Sequence, residues 1–408
     1  MESSPEAGPR LDVAAVRSHF PALKAGAAHF ESPGGTQTPE PVARAIVETL
    51  TGPLANRGTV TRAQRNADDV VVACRGAMAD LLGGEAEGMI FGRSSTQNTM
   101  DMARAIAKRW QAGDEVVVTR LDHDANVRPW VIAAEARGAT VRFADFDPAT
   151  AELEPAHIEA VLSERTKVVA VTGASNLIGT MPDLPAIAAL SHSAGAWLYV
   201  DGVHHAAHTF VDVAASGADF YACSPYKFLG PHCGVLYGRP EVLERIAPDK
   251  LLPSSDAVPE RFELGTLPYE LMAGTTAAVD FLADLVPAGG GRRDRLRASM
   301  AAVEAHEDRL RARIEDALAR LPGCTVHSRA RHRTPTLLVT FDGHDMVDVE
   351  RALAARGVNA PAHSFYALEA SRRLGLGDAG GLRIGLAPYN DDADVDRLID
   401  GLQAYCDR

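Results

Sequence analysis

The run Trp197-Leu-Tyr-Val-Asp201 reads as a strand that ends in a carboxylate, and 26 positions on, Lys227 follows a second apolar run, Asp219-Phe-Tyr-Ala-Cys-Ser224. A carboxylate at one strand's carboxyl end and a lysine soon after another's suit an aldehyde cofactor built on a basic ring. The amine can bind the aldehyde covalently. The carboxylate can keep the ring nitrogen protonated, so that the ring accepts electrons. Pyridoxal phosphate (PLP) is the cofactor that works this way. Taken singly, a lysine after a strand is usually solvated surface, so the neighbours carry the case.

Three of them point the same way. Phe91-Gly-Arg-Ser94-Ser95-Thr96-Gln97-Asn98 joins a strand to a helix, where hydroxyls, free N–H groups and the helix dipole favour an anion such as a phosphate. The plain reading of the same turn is an N-cap. His123, in Asp122-His-Asp-Ala-Asn126, follows the run Asp114–Thr119 and can stack on a flat ring or carry protons, or serve as a polar loop residue. Asn176 follows the run Thr166–Thr172 and can hydrogen-bond a ring substituent or simply make a turn. His204, His205 and His208 spell HHxxH, and on a helix His204 and His208 would share a face, as in metal-binding helices. No nearby Cys or Glu completes a ligand set, so no metal is expected and His204 is read as a cofactor contact.

These residues need a frame. Seven apolar runs, at 88–92, 114–119, 139–145, 166–172, 197–201, 219–224 and 234–238, alternate with helical patterns such as those starting at Thr96 and Leu184. That alternation predicts an α/β fold: a mainly parallel seven-stranded sheet sandwiched by helices, with ligands outside the strands' carboxyl ends. A glycine-rich, basic break at 287–295 precedes a long helix, roughly Arg292 to Leu321. A smaller α+β pattern follows, with strands at 334–341 and 381–389 and helices at 347–357 and 392–405. The expected division is an N-terminal segment, 1–21, packing with the small domain; a large cofactor-binding domain, 22–290; and a small C-terminal domain, 291–408.

Bulk properties narrow the partners. The chain has 408 residues, 46% of them hydrophobic, and a net charge of −13, which argues against nucleic acid or an anionic membrane. Its five cysteines are scattered without a CxxC pair, as suits reduced thiols in a cytoplasm. No secretory signal pattern or membrane-length apolar run is expected.

The order of these segments resembles the cysteine desulfurase-like subfamily of the class-V aminotransferases, which are fold-type I PLP enzymes. The matching segments are Phe20-Pro21, Phe30–Gly35, Ala55–Gly58, Arg93–Asn98, Asp122–Asn126, Ser175-Asn176, Asp201-Gly202, Ser224–Lys227, Phe262–Thr266 and Arg383–Asn390. The resemblance implies an amino-acid substrate and PLP on Lys227, which would also be the acid/base at Cα. Asp201 would pair with the ring nitrogen, His204 would lie near the phenolic oxygen, His123 would stack on the ring and Asn176 would touch its edge. Ser95, Thr96, Ser224 and Tyr226 would hold the phosphate end. In a homodimer, Thr266 would reach the other subunit's phosphate site. Arg383 would clamp the substrate's α-carboxylate, and Gly34, Gly35, Asn56, Arg57, Ser364 and Tyr366 would also line the substrate site.

The chain also departs from that family. Desulfurases carry a loop cysteine shortly before the last arginine, because a thiolate must attack the substrate sulfur. Here the stretch 357–377 contains His363, Ser364, Phe365 and Tyr366 but no cysteine. Tyr226 stands where desulfurases have histidine. A desulfurase-like pocket without its thiol suits β-elimination from cysteine or a cysteine S-conjugate, as in antibiotic assembly of the lincosamide type. Decarboxylation-coupled oxidative deamination, epimerisation and transamination are the other outcomes for such a site, and a catalytically silent binding subunit is the non-enzymatic one.

Overall fold

The computed structural model describes residues 10–407. All seven expected runs form one sheet: β1 (Met89–Gly92), β2 (Glu115–Thr119), β3 (Thr140–Ala144), β4 (Thr166–Thr172), β5 (Trp197–Asp201), β6 (Phe220–Cys223) and β7 (Gly234–Gly238). The spatial order is β1-β7-β6-β5-β4-β2-β3. Strand β7 runs antiparallel to both neighbours, and the remaining pairs are parallel. Successive side chains of a strand point to opposite faces. Val117, Val169 and Val200 therefore enter one core, while Val116, Val168 and Tyr199 enter the core on the other face. Burial on both faces is why these strands are continuous apolar runs.

Helix α1 (Arg62–Leu82) packs on the first of those cores through Val71, Met78 and Leu82. Helix α2 (Ser95–Ala107) leaves the carboxyl end of β1, with Ser94 as N-cap accepting from Gln97 N. The long helix is α3 (Arg292–Leu318). Its Leu296 and Met300 belong to the large core, whereas Leu310 and Ile314 belong to a separate one.

That separate core lies under a four-stranded antiparallel sheet of β8 (Cys324–Val326), β9 (Thr336–Phe341), β10 (Ala362–His363) and β11 (Gly381–Gly385), in the order β10-β11-β9-β8. Ala28 and Phe30, within the expected large-domain span, also enter it, and Ala28–His29 pairs in parallel with Val358–Asn359. Residues 1–9 of the expected N-terminal segment lie outside the described residues. The following turn of chain reaches the small module: Arg17 Nη1 donates to the Tyr389 carbonyl at 2.6 Å and to Asp394 at 2.7 Å. Phe20 meets both Tyr389 and Phe281, at ring distances of 5.0 and 5.8 Å. No described helix is long and apolar enough to cross a membrane.

Candidate active site

The carboxyl ends of β1, β4, β5 and β6 converge on one cavity. Its lining includes Ser95, Thr96, His123, Asn176, Asp201, His204, Ser224, Tyr226 and Lys227. Thirteen of the candidate site residues singled out above lie at this cavity or in the wider one that opens from it. The wider cavity, about 910 Å³, adds Gly34, Ser364, Phe365, Tyr366 and Arg383, with Met100, Arg128 and Leu368 further out.

Lys227 closes a one-turn helix after β6, and its Nζ donates to the Pro33 carbonyl. Burial strips water from the ammonium, and nearby Arg383 repels it, so its pKa falls to about 7 despite the opposing pull of Asp201. Asp201, at the end of β5, accepts from Val203 N at 3.0 Å. Burial raises its pKa, and the Val203 N–H and Lys227 pull the other way.

His123 is held below the physiological range, at about 3, first by burial and then by the charges of Lys227 and Arg383. It is therefore neutral. Its Nδ1 accepts from Ala125 N at 3.0 Å, which assigns the ring proton to Nε2. Below it, Asp122 is buried and accepts from Asn126 Nδ2 at 2.7 Å and from the Thr119 hydroxyl. Burial drives its pKa up to about 8, so it acts as a neutral scaffold for the loop.

The Ser95 and Ser224 hydroxyls touch at the start of α2, beside the Thr96 side chain. There the first N–H groups of the helix have no acceptor within it. Tyr226 lies between the two cavities, stacked on His232 at 4.7 Å and 8°. Burial first, then Asp201, raises its pKa, so its phenol stays protonated. Gly35, at φ +154°, passes close to that ring: a Cβ would lie 3.3 Å from Tyr226 Cδ2.

The HHxxH motif forms no α-helix. The segment is a single 3-10 turn, His205–Ala207. His204 Nε2 meets the hydroxyls of Thr334 at 3.0 Å and Thr336 at 2.8 Å, and His208 Nδ1 meets Glu307 at 2.9 Å. Among the described residues, no group of His, Cys, Asp or Glu is placed to hold a metal.

Arg383 is buried on β11, with Nη1 donating to the Asn176 carbonyl at 3.0 Å. Burial lowers its pKa to about 9, which still leaves it charged at neutral pH. Asn56, Arg57 and Thr266 are not brought to this cavity. Arg57 pairs with Asp68 and Glu260, and with Thr266 it lines a separate surface cleft. Asn56 is exposed on the same loop.

The polar atoms around the cavity are incomplete in the manner of a ring-binding site. Asn176 Oδ1 and His204 Nδ1 are buried without partners among the described residues. The aldehyde-binding amine, the carboxylate, the neutral imidazole and the hydroxyl-rich helix start are grouped in one place. The class-V aminotransferase family model matches residues 28–398. The chain belongs to that family. Its cofactor is PLP, and the residues present fit it: Lys227 for the aldehyde, Asp201 for the ring nitrogen, the α2 start for the phosphate.

Similar proteins place the chain among the family's desulfurase-like members. An uncharacterized protein of Mycobacterium tuberculosis is 32% identical over 397 residues, covering 96% of this chain and 98% of that protein. A probable cysteine desulfurase of Pseudomonas aeruginosa is 31% identical over 406 residues, covering 94% and 96%. The solved cysteine desulfurase CsdA of Escherichia coli superposes with a TM-score of 0.86 at 28% identity, covering 97% of this chain and 98% of that one.

Two features escaped the sequence reading. Thr334 and Thr336, the partners of His204, lie 130 and 132 positions away on the small module. Phe365 covers Arg383, with the guanidinium carbon 3.6 Å from its ring centroid. No local pattern reports a contact of that range.

Proposed function

We propose that this class-V enzyme breaks the C–S bond of a cysteine S-conjugate by β-elimination, forms no persulfide on its own chain, and works in the cytoplasm as a homodimer. The observation that carries the reading is the strap facing Lys227, which presents Ser364, Phe365 and Tyr366 and no thiol. None of the five cysteines lines either cavity. The nearest in sequence to the lysine, Cys223, is buried, and burial pushes its thiol far from ionising. The wider cavity also exceeds what free cysteine needs, leaving space toward Met100, Arg128 and Leu368 for a substituent on sulfur.

Bound PLP supplies an electron sink for the substrate's Cα. The chain supplies the rest. Arg383 holds the α-carboxylate, which sets the orientation of the Cα bonds. The Lys227 amine, whose pKa burial lowers to about 7, removes the Cα proton. The Cβ–S bond then breaks with its electron pair on sulfur, and the thiol departs with a proton. The Tyr226 phenol, kept protonated, stands beside Lys227 as a donor for that step. The released aminoacrylate takes up water to give pyruvate and ammonia.

The decisive measurement is product analysis with S-ethyl-L-cysteine, which should yield pyruvate and ethanethiol one to one. An aldehyde with carbon dioxide would replace this reading by decarboxylation-coupled deamination. Recovered substrate carrying solvent deuterium at Cα would replace it by epimerisation. Alanine with enzyme-bound sulfane sulfur from free cysteine would restore the desulfurase. A silent binding subunit is tested by colour: purified protein should be yellow, and borohydride should fix the cofactor on Lys227 but not in Lys227→Ala.

A further inference from the structure

Residues 364–367 carry an unusual backbone. Phe365 and Tyr366 both lie in the left-handed region, at φ +50° and +58°, which residues with a Cβ avoid. The surroundings hold them there. Asn176 Nδ2 donates to the Phe365 carbonyl at 2.9 Å, and Asp124 N donates to the Tyr366 carbonyl at 2.8 Å. The strap is thus tied to the two loops that carry His123 and Asn176 into the cavity. The bend aims the Phe365 ring at the face of the Arg383 guanidinium, 3.6 Å from its central carbon.

A ring on the face leaves the edge free. Arg383 Nη1 is engaged by the Asn176 carbonyl, and Nε is buried with no partner among the described residues. Gly34 keeps the Nη2 side open, because a Cβ there would lie 3.2 Å from Nη2. A carboxylate that reaches this edge from the cavity and uncovers Nε can accept two parallel bonds, from Nε and Nη2, in the guanidinium plane.

The geometry points to Phe365 as the positioning residue for carboxylate selection. It holds the guanidinium flat and confines the incoming group to a planar anion at that edge. This rests on the reading that Arg383 receives the substrate's α-carboxylate. The residue stands in the strap where a desulfurase would carry its nucleophile, and there it serves recognition.

The test uses holoenzyme and two unreactive probes, L-alanine and L-alaninamide, with binding followed by the cofactor's absorbance. Wild type should prefer L-alanine. Phe365→Ala and Phe365→Leu should each weaken L-alanine by about 3- to 30-fold, the range of a cation–π contact, while L-alaninamide binding stays unchanged. Phe365→Tyr should restore the preference, since it restores an aromatic face. Thermal melting identifies any variant that folds poorly, and Phe365→Leu decides if Phe365→Ala does so. Equal weakening of both probes, or a wild-type preference in Phe365→Leu, overturns the inference. Arg383→Ala separates the two claims. If it leaves the preference intact, the carboxylate reading falls and the inference falls with it. If it erases the preference while the Phe365 variants keep theirs, only the inference falls.

Discussion

At pH 7 a solvated lysine is neutral in fewer than about one molecule in a thousand, and only the neutral amine adds to an aldehyde. Burial of Lys227, with Arg383 close by, brings that proton off at about 7 instead. Cofactor uptake by the apo-protein should therefore rise with pH through a midpoint near 7 and level off above about 8, as read by stopped-flow absorbance. A rate still climbing tenfold per pH unit at pH 9 would contradict a depressed lysine. The same shift has a stability consequence. Between about 7 and 10.5 the unfolded lysine keeps a proton that the folded one has lost, so apo-protein stability should rise with pH across that window. Below 7 both states are protonated, and this contribution is flat. Asp201, the carboxylate of the site, should be less replaceable than its solvent-exposed counterparts. Asp201→Asn removes the anion opposite the ring nitrogen, and turnover should fall by about 10²-fold or more while the protein still binds PLP. Lys227, Asp201, His123 and Asn176 were legible in the sequence because each puts a particular functional group at or just past a strand end, whereas Arg383, in the middle of β11, was reached only through the family resemblance. Thr334 and Thr336 were not, since a hydroxyl that serves a distant histidine looks like any other strand threonine.

At the scale of elements, legibility followed burial. The seven strands announced themselves because their apolar residues answer to two packed faces, and α3 because its apolar residues serve two cores along its length. The strap at 364–367 did not, because its left-handed pair is held by Asn176 and by the Asp124 amide, neither of which is local. The HHxxH segment misled for a related reason: four-residue spacing suggests a helix, but the chain makes one tight turn, and its histidines bond to β9 and α3. A third non-local device anchors the segment that carries Thr266. Arg75 on α1 pairs with Glu263 at 2.9 Å, and Glu263 also accepts from Phe91 N at 3.0 Å. Both partners are buried. Removing one leaves the other charge without compensation, so Arg75→Met should cost about 3–5 kcal/mol in denaturant unfolding. The double variant Arg75→Met with Glu263→Leu should recover most of that loss. If the single variant is neutral, the pair is not what holds the segment.

The whole molecule presents a face that one chain leaves unexplained. The cleft holding Arg57 and Thr266 lies away from the Lys227 cavity of its own chain. Leu251 lines it at 67% exposure, and the chain next to its other lining residues exposes Val60 at 82%, Leu252 at 97% and Leu264 at 56%. Scattered single exposures need no cause, but apolar residues exposed along the segments that form one cleft suit an interaction surface. A two-fold dimer would cover it and would carry Thr266 toward the helix start of the second copy, which Ser95, Thr96 and Ser224 line. The expected solution mass is then about 87 kDa, twice the 43.3 kDa chain. Replacing Leu252 and Leu264 together by Asp puts two charges on that face without touching either cavity, and light scattering should report a monomer. If Thr266 completes the phosphate site across the two-fold, the monomer should also bind PLP at least tenfold more weakly, while its melting temperature without cofactor changes little. A monomer that keeps full PLP affinity would mean that each chain holds its phosphate alone, and Thr266 would then belong to the interface and not to the site.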